Sequence, residues 1–334
     1  MWVAFNMLMT GLRKQVSSPA TRNTKRVSVL VMTYNHERYI TQALDSVLMQ
    51  HTNFDWEVLV SEDCSTDRTR EIVKGYAARH PGLLRLLLSE KNLHSNEVVA
   101  RGIRAAAGEY LALLDGDDYW LTSEKLQTQV DFMDRHPETT VCFHQTIVHD
   151  DRAIRPDWYW TPPHQKEFST LQDICMDNFI TLCSTMFRRR AIADPPEWYI
   201  AFPITDWPLH ILCAERGTIA YLPKAMSVYR YHEGGAYSGW TQSRKEDEAY
   251  RLYRLLDEGF GHRYRRLFQA GVFEYFLDWV EEHERLGERK QALACFRRGL
   301  TGRPIQLLPG LRKLARVWLR LMMPNRQTQV GLWL

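Results

Sequence analysis

The first half of the chain alternates between short apolar runs and longer segments whose apolar residues recur at helical spacing. The runs are rich in valine and leucine, which is typical of strands buried on both faces of a parallel sheet. They lie at residues 27–33, 56–62, 83–89 and 109–114. The longer segments read as amphipathic helices that begin near Ile40, Thr66 and Val98. This alternation predicts an α/β fold with a mostly parallel sheet and helices on both faces.

Polar residues directly follow three of these predicted strands. They are Thr33-Tyr34-Asn35, Glu62-Asp63 and Asp115-Gly116-Asp117-Asp118. In open α/β sheets, ligands bind beyond the carboxyl ends of the strands. One polar cluster would be an ordinary loop, but three on the same edge of the sheet favour a binding site there.

The last cluster, DGDDYW, places three carboxylates within four residues. Carboxylate oxygens at this density suit Mg²⁺ or Mn²⁺, and Mg²⁺ often completes its coordination with substrate phosphates. The GxGxxG pattern of dinucleotide sites and the GxxxxGK pattern of P-loops do not follow these strands. Gly116 has no Cβ, so a ligand can approach the backbone closely there. The cluster therefore predicts a metal-bound diphosphate.

Three segments occur in a characteristic order: VSVLVMTYNHERYITQALDSVLMQ, EVLVSEDCSTDRT and GEYLALLDGDDYW. Together they resemble the nucleotide-binding half of a family 2 glycosyltransferase with the GT-A fold. The resemblance is close over residues 26–135 and looser to about residue 240. It implies an inverting, metal-dependent enzyme that transfers a sugar from a nucleotide sugar, by expectation a UDP-sugar.

The resemblance also implies roles for individual residues at the first two strand ends. Thr33, Tyr34 and Asn35 would line the nucleoside, and Asp63 would bind the uracil ring. The segment reads EDCSTD where the family usually has DDGSTD, so glutamate and cysteine replace an aspartate and a glycine. Arg101 lies where the family often has a basic residue, which implies a contact with phosphate.

In the DxD motif, the resemblance assigns Asp115 to the ribose, Gly116 to the nucleotide sugar, and Asp117 to the metal ion, Mn²⁺ or Mg²⁺. Asp118 would add an outer contact. Trp120 is expected to pack beneath this loop.

The segment from 136 to 240 would supply the acceptor side. In the family an acidic residue before an aromatic opens a helix and acts as general base; here that residue is Asp206, in Thr-Asp-Trp. A plain helix cap is the alternative for this aspartate. His232, in the segment YRYH, resembles a residue that closes over the diphosphate and can add a metal ligand, although a structural histidine is equally compatible. Gly234-Gly235 would let this loop move as a lid.

The two ends of the chain have other patterns. Residues 1–25 read as a mobile leader, and residues 241–334 read as a helical region. Near its end, Arg312, Lys313, Arg316 and Arg320 surround an apolar face that includes Trp318. Such a basic amphipathic helix suits an anionic membrane surface, and packing on its own domain is the alternative.

Net charge, cysteine content and hydrophobic run length indicate which partners and which cellular compartment to expect. The net charge of +3 over 334 residues gives no indication of nucleic-acid binding. Six cysteines without a CxxC pair favour reduced, buried thiols. No run reaches the roughly 20 apolar residues of a membrane-spanning helix. The expected location is therefore cytoplasmic, with peripheral contact to the inner face of the plasma membrane if the basic helix binds there.

The expected acceptor is a saccharide or a lipid-linked saccharide used in cell-surface polysaccharide synthesis. Two other functions stay open on the sequence. A sugar-nucleotide nucleotidyltransferase shares the sheet and the acidic metal site, but usually has a glycine-rich loop after the first strand, and TYNHERY has no glycine. A non-catalytic nucleotide-sugar binding protein would have no need of Asp206. A glycoside hydrolase also pairs carboxylates, but does not need them in a DxD strand end.

Overall fold

The structure is a computed structural model that describes residues 25–235 and 239–301. The predicted leader, the basic amphipathic helix near the end of the chain and part of the predicted lid lie outside the described residues.

The first half forms the parallel part of the sheet. Its strands are β1 (Val27–Thr33), β2 (Trp56–Glu62), β3 (Leu84–Leu88) and β4 (Tyr110–Asp115), which alternate with the helices α1 (Ile40–Leu48), α2 (Thr69–Arg79) and α3 (Glu97–Ala105). The strand order is β3-β2-β1-β4, and every neighbouring pair is parallel. Thr33 pairs with Glu62, and Met32 pairs with Asp115. The three polar strand ends therefore meet at one edge.

The second half extends the sheet in a mixed arrangement. Its elements are β5 (Tyr119–Trp120), α4 (Lys125–Arg135), β6 (Thr139–Asp150), β7 (Trp158–Tyr159), β8 (Phe168–Ser169), α5 (Leu171–Met176), β9 (Met186–Arg188), α6 (Glu197–Ile200), α7 (Asp206–Ala214) and β10 (Thr218–Tyr231). Strand β9 is antiparallel to both β4 and β6, whereas β10 is parallel to β6. The prediction of a mostly parallel sheet is thus confirmed, with the parallel pairs concentrated in the first half.

The long strand β10 returns the chain to the site. It pairs with β6 along most of its length and with the short strand β5, where Val228 lies opposite Tyr119. Because β5 follows the DxD loop directly, the end of β10 reaches that loop. His232 comes just after this strand.

Helices cover both faces of the sheet, as predicted. One face packs on α1, α2 and α4 through a core that includes Val31, Leu44 and Leu126. The other packs on α3, α5 and α7 and on three further helices through a core that includes Phe143 and Phe273. The three further helices are α8 (Gln242–Gly259), α9 (Arg265–Arg285) and α10 (Arg289–Thr301).

Helix α9 approaches α5 closely. A Cβ at Gly271 would stand 2.2 Å from the backbone oxygen of Cys175, and Tyr253 on α8 donates a 2.6 Å hydrogen bond to the same oxygen. Within the described ranges, no helix is long and apolar enough to cross a membrane. All six cysteines are free thiols, and five of them are buried, in line with the prediction.

Candidate active site

Three residues from two loops meet at the carboxyl end of β1. Thr33 Oγ1 and His36 Nδ1 are 3.3 Å apart, and Gly116 lies against both. A Cβ at Gly116 would stand 2.7 Å from Thr33 Oγ1 and 2.8 Å from His36 Nδ1. Such distances are too short for non-bonded atoms, so glycine is required for the loop after β4 to lie this close to β1.

The Asp117 carboxylate is the centre of the site. Its Oδ2 lies 3.0 Å from His232 Nε2 and 3.5 Å from His36 Nε2. Burial raises the pKa of Asp117, but the charge of His36 and the hydrogen bond from His232 outweigh burial and lower this pKa to about 2. The structure thus brings together Asp117 and His232, the two predicted metal ligands, and adds His36. The available sequence signal for His36 was a histidine three residues after Thr33 at the strand end.

Three more carboxylates lie close enough to influence one another. Burial raises the pKa of Asp115 well above its usual value, and the charges of Asp117 and Asp206 raise it further. Burial also raises the pKa of Asp118, with added repulsion from Asp117 and Asp115. Like charges in such proximity disfavour ionisation. The site therefore has an excess of negative charge that a bound cation would relieve.

The donor set fits a divalent cation. Carboxylate oxygens suit both Mg²⁺ and Mn²⁺, and imidazole nitrogens are further ligands for transition metals. Asp117 and His232 could hold such an ion, and His36 contacts the same carboxylate oxygen of Asp117.

Hydrogen bonds between Arg230 and the DxD loop hold that loop against the end of β10. Asp118 Oδ1 accepts a 2.9 Å hydrogen bond from the backbone N–H of Arg230. The Arg230 guanidinium donates to the backbone oxygen of Asp117 and lies over the rings of Tyr39 and Tyr119, at 5.0 and 4.6 Å. Asp118 is therefore engaged with β10, and Arg230, which was not among the predicted residues, is a positioning residue.

The predicted nucleobase corner lies at the ends of β2 and β3. The Asp63 carboxylate accepts hydrogen bonds from Ser89 Oγ at 2.9 Å and from the Leu93 N–H at 3.0 Å. Asp63 is 6% exposed, and its hydrogen bonds join the end of β2 to the segment that follows β3.

Arg101, the predicted phosphate contact, makes hydrogen bonds within the protein. Its Nε donates to Ser61 Oγ at 2.8 Å, and its two terminal nitrogens donate to Ser89 Oγ at 2.7 Å and to the Glu62 oxygen at 3.0 Å. All three guanidinium nitrogens are thus bound within the protein. Arg101 lies on α3 and links the ends of β2 and β3.

Asn35 is also engaged within the protein. Its Oδ1 accepts a 2.8 Å hydrogen bond from the Thr66 N–H, and its own N–H donates to Ser65 Oγ at 3.0 Å. Asn35 therefore joins the loop after β1 to the loop after β2. Its neighbour Tyr34 is 37% exposed at the same edge.

The loop after β2 keeps an unusual backbone at Cys64. This residue has φ = 60°, in the left-handed region that glycine adopts without a steric penalty. Glycine, the usual residue of the family at this position, adopts this conformation freely. Cys64 keeps the same turn, although its side chain costs about 1–2 kcal/mol in this conformation.

Asp206 is the first residue of α7, as predicted for the acidic residue that precedes an aromatic and opens a helix. Its Oδ2 accepts a 3.0 Å hydrogen bond from Asn178 Nδ2. Burial raises the pKa of Asp206, while the backbone N–H of Trp207 and the Asn178 amide oppose the rise. Asp206 lies close enough to Asp115 for its charge to raise the pKa of that carboxyl.

The loop before Asp206 is held by Asn96, at the start of α3. Asn96 Nδ2 donates to the backbone oxygens of Tyr199 and Ile204, at 3.0 and 2.9 Å, and its Oδ1 accepts from Thr205 Oγ1 at 2.8 Å. This buried amide joins the nucleotide half to the acceptor half immediately beside Asp206.

Comparison with known proteins agrees with this geometry. A family model described as Glycosyl transferase family 2 matches residues 28–194. The uncharacterized protein Rv1520 of Mycobacterium tuberculosis is 39% identical over 259 residues, which cover 75% of this chain and 74% of that protein. The putative teichuronic acid biosynthesis glycosyltransferase TuaG of Bacillus subtilis is 38% identical over 109 residues, or 32% of this chain and 41% of that protein.

Two solved structures share the fold. Residues 1–349 of Staphylococcus aureus TarS, in complex with UDP-GlcNAc, superpose with a TM-score of 0.60 at 22% identity, over 84% of this chain and 82% of that one. The mannosyltransferase PcManGT of Pyrobaculum calidifontis, in complex with GDP-Man and Mn²⁺, superposes with a TM-score of 0.54 at 18% identity, over 88% and 80%. The chain therefore belongs to glycosyl transferase family 2 and has the GT-A fold.

Proposed function

We propose that this glycosyltransferase moves a sugar from a UDP-sugar, with inversion, onto a saccharide or lipid-linked saccharide in cell-surface polysaccharide synthesis. The observation that carries the proposal is the Asp117 carboxylate, which contacts His36 and His232. Asp117 and Asp206 both lie close enough to Asp115 to raise its pKa. The names of two relatives support the acceptor class. TuaG is described as a teichuronic acid biosynthesis enzyme and TarS as a poly(ribitol-phosphate) β-N-acetylglucosaminyltransferase.

On the donor side, Asp117 and His232 would hold Mn²⁺ or Mg²⁺. Such an ion stabilises the negative charge that develops on a departing diphosphate. Asp115 would contact the ribose, with Gly116 leaving space beside it. Asp63 would accept a hydrogen bond from the uracil ring.

Thr33 and Tyr34 would line the nucleoside at the end of β1. Asn35, Arg101 and Arg230 hold the surrounding loops through the hydrogen bonds described above, so we assign them positioning roles.

On the acceptor side, Asp206 would take the proton from the attacking hydroxyl. A general base must lie within hydrogen-bonding distance of that proton in the reacting complex. Burial makes Asp206 a stronger base than an exposed aspartate, because it raises the pKa of this carboxyl. A base on one side of the sugar and a stabilised leaving group on the other permit direct displacement without a covalent intermediate, which is the inverting route.

Thermal-shift measurements test the donor class. The full chain is heated with Mn²⁺ and UDP-sugars, or with Mn²⁺ and GDP-mannose. Stabilisation by UDP-sugars alone is expected, since a ligand that binds the native state raises its stability by mass action. Stabilisation by GDP-mannose alone would contradict the UDP assignment. Release of UDP on addition of acceptor then separates a transferase from a non-catalytic binding protein.

The domain division and the location are further parts of the proposal. Residues 26–240 would form the catalytic domain, and residues 241–334 a helical region whose basic end contacts the inner face of the plasma membrane from the cytoplasm. Flotation of the chain with anionic liposomes, with and without residues 305–334, tests the membrane contact. Equal flotation of both forms would end it.

A further inference from the structure

Three buried side chains from the three C-terminal helices converge far along the chain from the DxD motif. They are Glu246 on α8, His283 on α9 and Cys295 on α10, and they are at most 7% exposed. A carboxylate oxygen, a ring nitrogen and the thiol sulfur of this cluster all lie within 4.8 Å of one another. Their sequence spacing is too wide to form a recognisable motif, so the folded helices alone reveal the cluster.

Each member is oriented by a further contact. Cys295 Sγ lies 3.2 Å from Glu246 Oε1, and the other oxygen of Glu246 accepts a 2.8 Å hydrogen bond from Arg298. His283 Nδ1 lies 2.6 Å from Glu288 Oε2. The three candidate ligand side chains are therefore already held in place.

These contacts match the chemistry of a zinc site. Zn²⁺ binds thiolate, imidazole and carboxylate ligands, and sites with three protein ligands leave a fourth position for water. Imidazoles that bind metal commonly donate their other ring N–H to a carboxylate, which fixes the ring. With Nε2 of His283 as the metal ligand, Glu288 would stand in that relation to Nδ1. The side chain of Glu288 is 43% exposed, so a residue in direct contact with the cluster reaches solvent.

We propose that Glu246, His283 and Cys295 form a Zn²⁺ site that joins α8, α9 and α10. Binding replaces the thiol proton of Cys295, which is released to solvent, because a coordinating thiol is deprotonated. The ligand atoms must draw together somewhat, since zinc bonds are about 2.0–2.3 Å long. The site is separate from the proposed donor site, whose oxygen-rich ligands suit harder ions.

Zinc here would act as a structural link. Helix α9 packs on α5, and Tyr253 and Tyr275 from α8 and α9 lie 5.5 and 5.9 Å from the ring of Trp207. Fixing the three helices to one another would therefore stabilise the surface on which the start of α7 rests. The alternative is a hydrogen-bonded cluster without metal, and the experiment must distinguish the two.

Cobalt provides the probe. The full chain is treated with a chelator and titrated with Co²⁺ alone, while the thiolate-to-cobalt charge-transfer absorption is recorded. The unaltered chain is expected to bind one Co²⁺ with this absorption, and Zn²⁺ should displace it. Asp117→Ala should keep the signal, which separates this site from the donor site. An unaltered chain with no thiolate signal would overturn the proposal.

Variants assign the signal to the cluster. Cys295→Ser should abolish it, whereas Cys175→Ser, at a buried thiol outside the cluster, should retain it. A signal that persists in Cys295→Ser would also overturn the proposal. Glu288→Gln changes only a partly exposed side chain and should weaken Co²⁺ binding by about 10–100-fold. This second variant keeps the test decisive if Cys295→Ser does not fold.

Discussion

The environments of Asp117 and Asp206 shift the pKa values of the two carboxyls in opposite directions. The two histidines beside Asp117 keep its carboxylate ionised, with a pKa of about 2. Burial raises the pKa of Asp206. Environments that separate the pKa values of neighbouring acids commonly divide their chemical roles. Here the division fits a metal ligand and a proton acceptor.

Replacing Asp206 by asparagine tests its role as the base. The amide keeps the shape and can still accept a hydrogen bond from Asn178, but it cannot take a proton. Transfer, measured as kcat for UDP release with acceptor present, should fall by about 10²–10⁴-fold, while the Kd for UDP with Mn²⁺ stays within about twofold of the original. A variant that retains most of its transfer activity would leave Asp206 with only a structural role at the start of α7.

Asn178 gives a prediction about pH. Its amide donates to Asp206 and lowers the pKa of a carboxyl that burial raises. Asn178→Ala removes this donor, so the pKa of Asp206 should rise further. Since a general base works only when deprotonated, the acidic limb of kcat/KM against pH should move to higher pH. A limb that stays in place, or moves to lower pH, would contradict the assignment.

Among the strands and helices, the sequence pattern correctly predicted the four parallel strands β1 to β4 and the helices between them. The bounds of β1 and β2 agree with the predicted ranges, because strands buried on both faces are continuously apolar. Strand β9 has only three residues, which is too short for a recognisable hydrophobic pattern. Its position between β4 and β6 could therefore not be predicted. His36, Arg230 and Asn178 were missed because their partners are distant along the chain, and only the fold brings them together. Arg230 and Asp117, for example, are 113 positions apart.

Helix α4 begins with a fully buried lysine beneath the DxD loop. Lys125 Nζ donates to Gln129 Oε1 at 2.7 Å and lies 4.2 Å from the ring centre of Trp120. Trp120 is 1% exposed and donates to the Cys183 oxygen, so it packs beneath the loop as expected. Burial lowers the pKa of Lys125 from 10.5 to about 7. This lysine should make stability depend on pH.

Between pH 7 and 10.5 the unfolded chain binds the Lys125 proton and the folded chain does not, so folding stability should rise with pH in this window. The contribution is at most about 1.4 kcal/mol per pH unit. Lys125→Met should remove it, which denaturant unfolding at pH 7 and pH 9 can measure. Lys74→Met, at an exposed position of α2, should leave the slope unchanged. Equal slopes for Lys125→Met and the unaltered chain would contradict the prediction.

At the scale of the whole molecule, the C-terminal helices belong to the same core as one face of the sheet. Gly271 is where α9 meets α5, and a Cβ there would collide with a backbone oxygen. Gly271→Ala should therefore lower the free energy of unfolding by about 1–3 kcal/mol. Gly75→Ala, where a Cβ meets nothing closer than 4.0 Å, should raise it by about 0.5–1 kcal/mol. Stabilisation by both substitutions would show that α9 does not dock as described.

Asp117 is proposed to organise a metal-dependent nucleotide site, and titration calorimetry of UDP with and without Mn²⁺ tests this role. The unaltered chain and Asp131→Asn, a control on the exposed side of α4, should bind UDP much more tightly with Mn²⁺ than without. Asp117→Asn should lose that dependence, with a Kd for UDP in Mn²⁺ at least about tenfold weaker, because the amide oxygen is a poorer ligand than a carboxylate. An Asp117→Asn variant whose UDP binding still responds fully to Mn²⁺ would contradict the account.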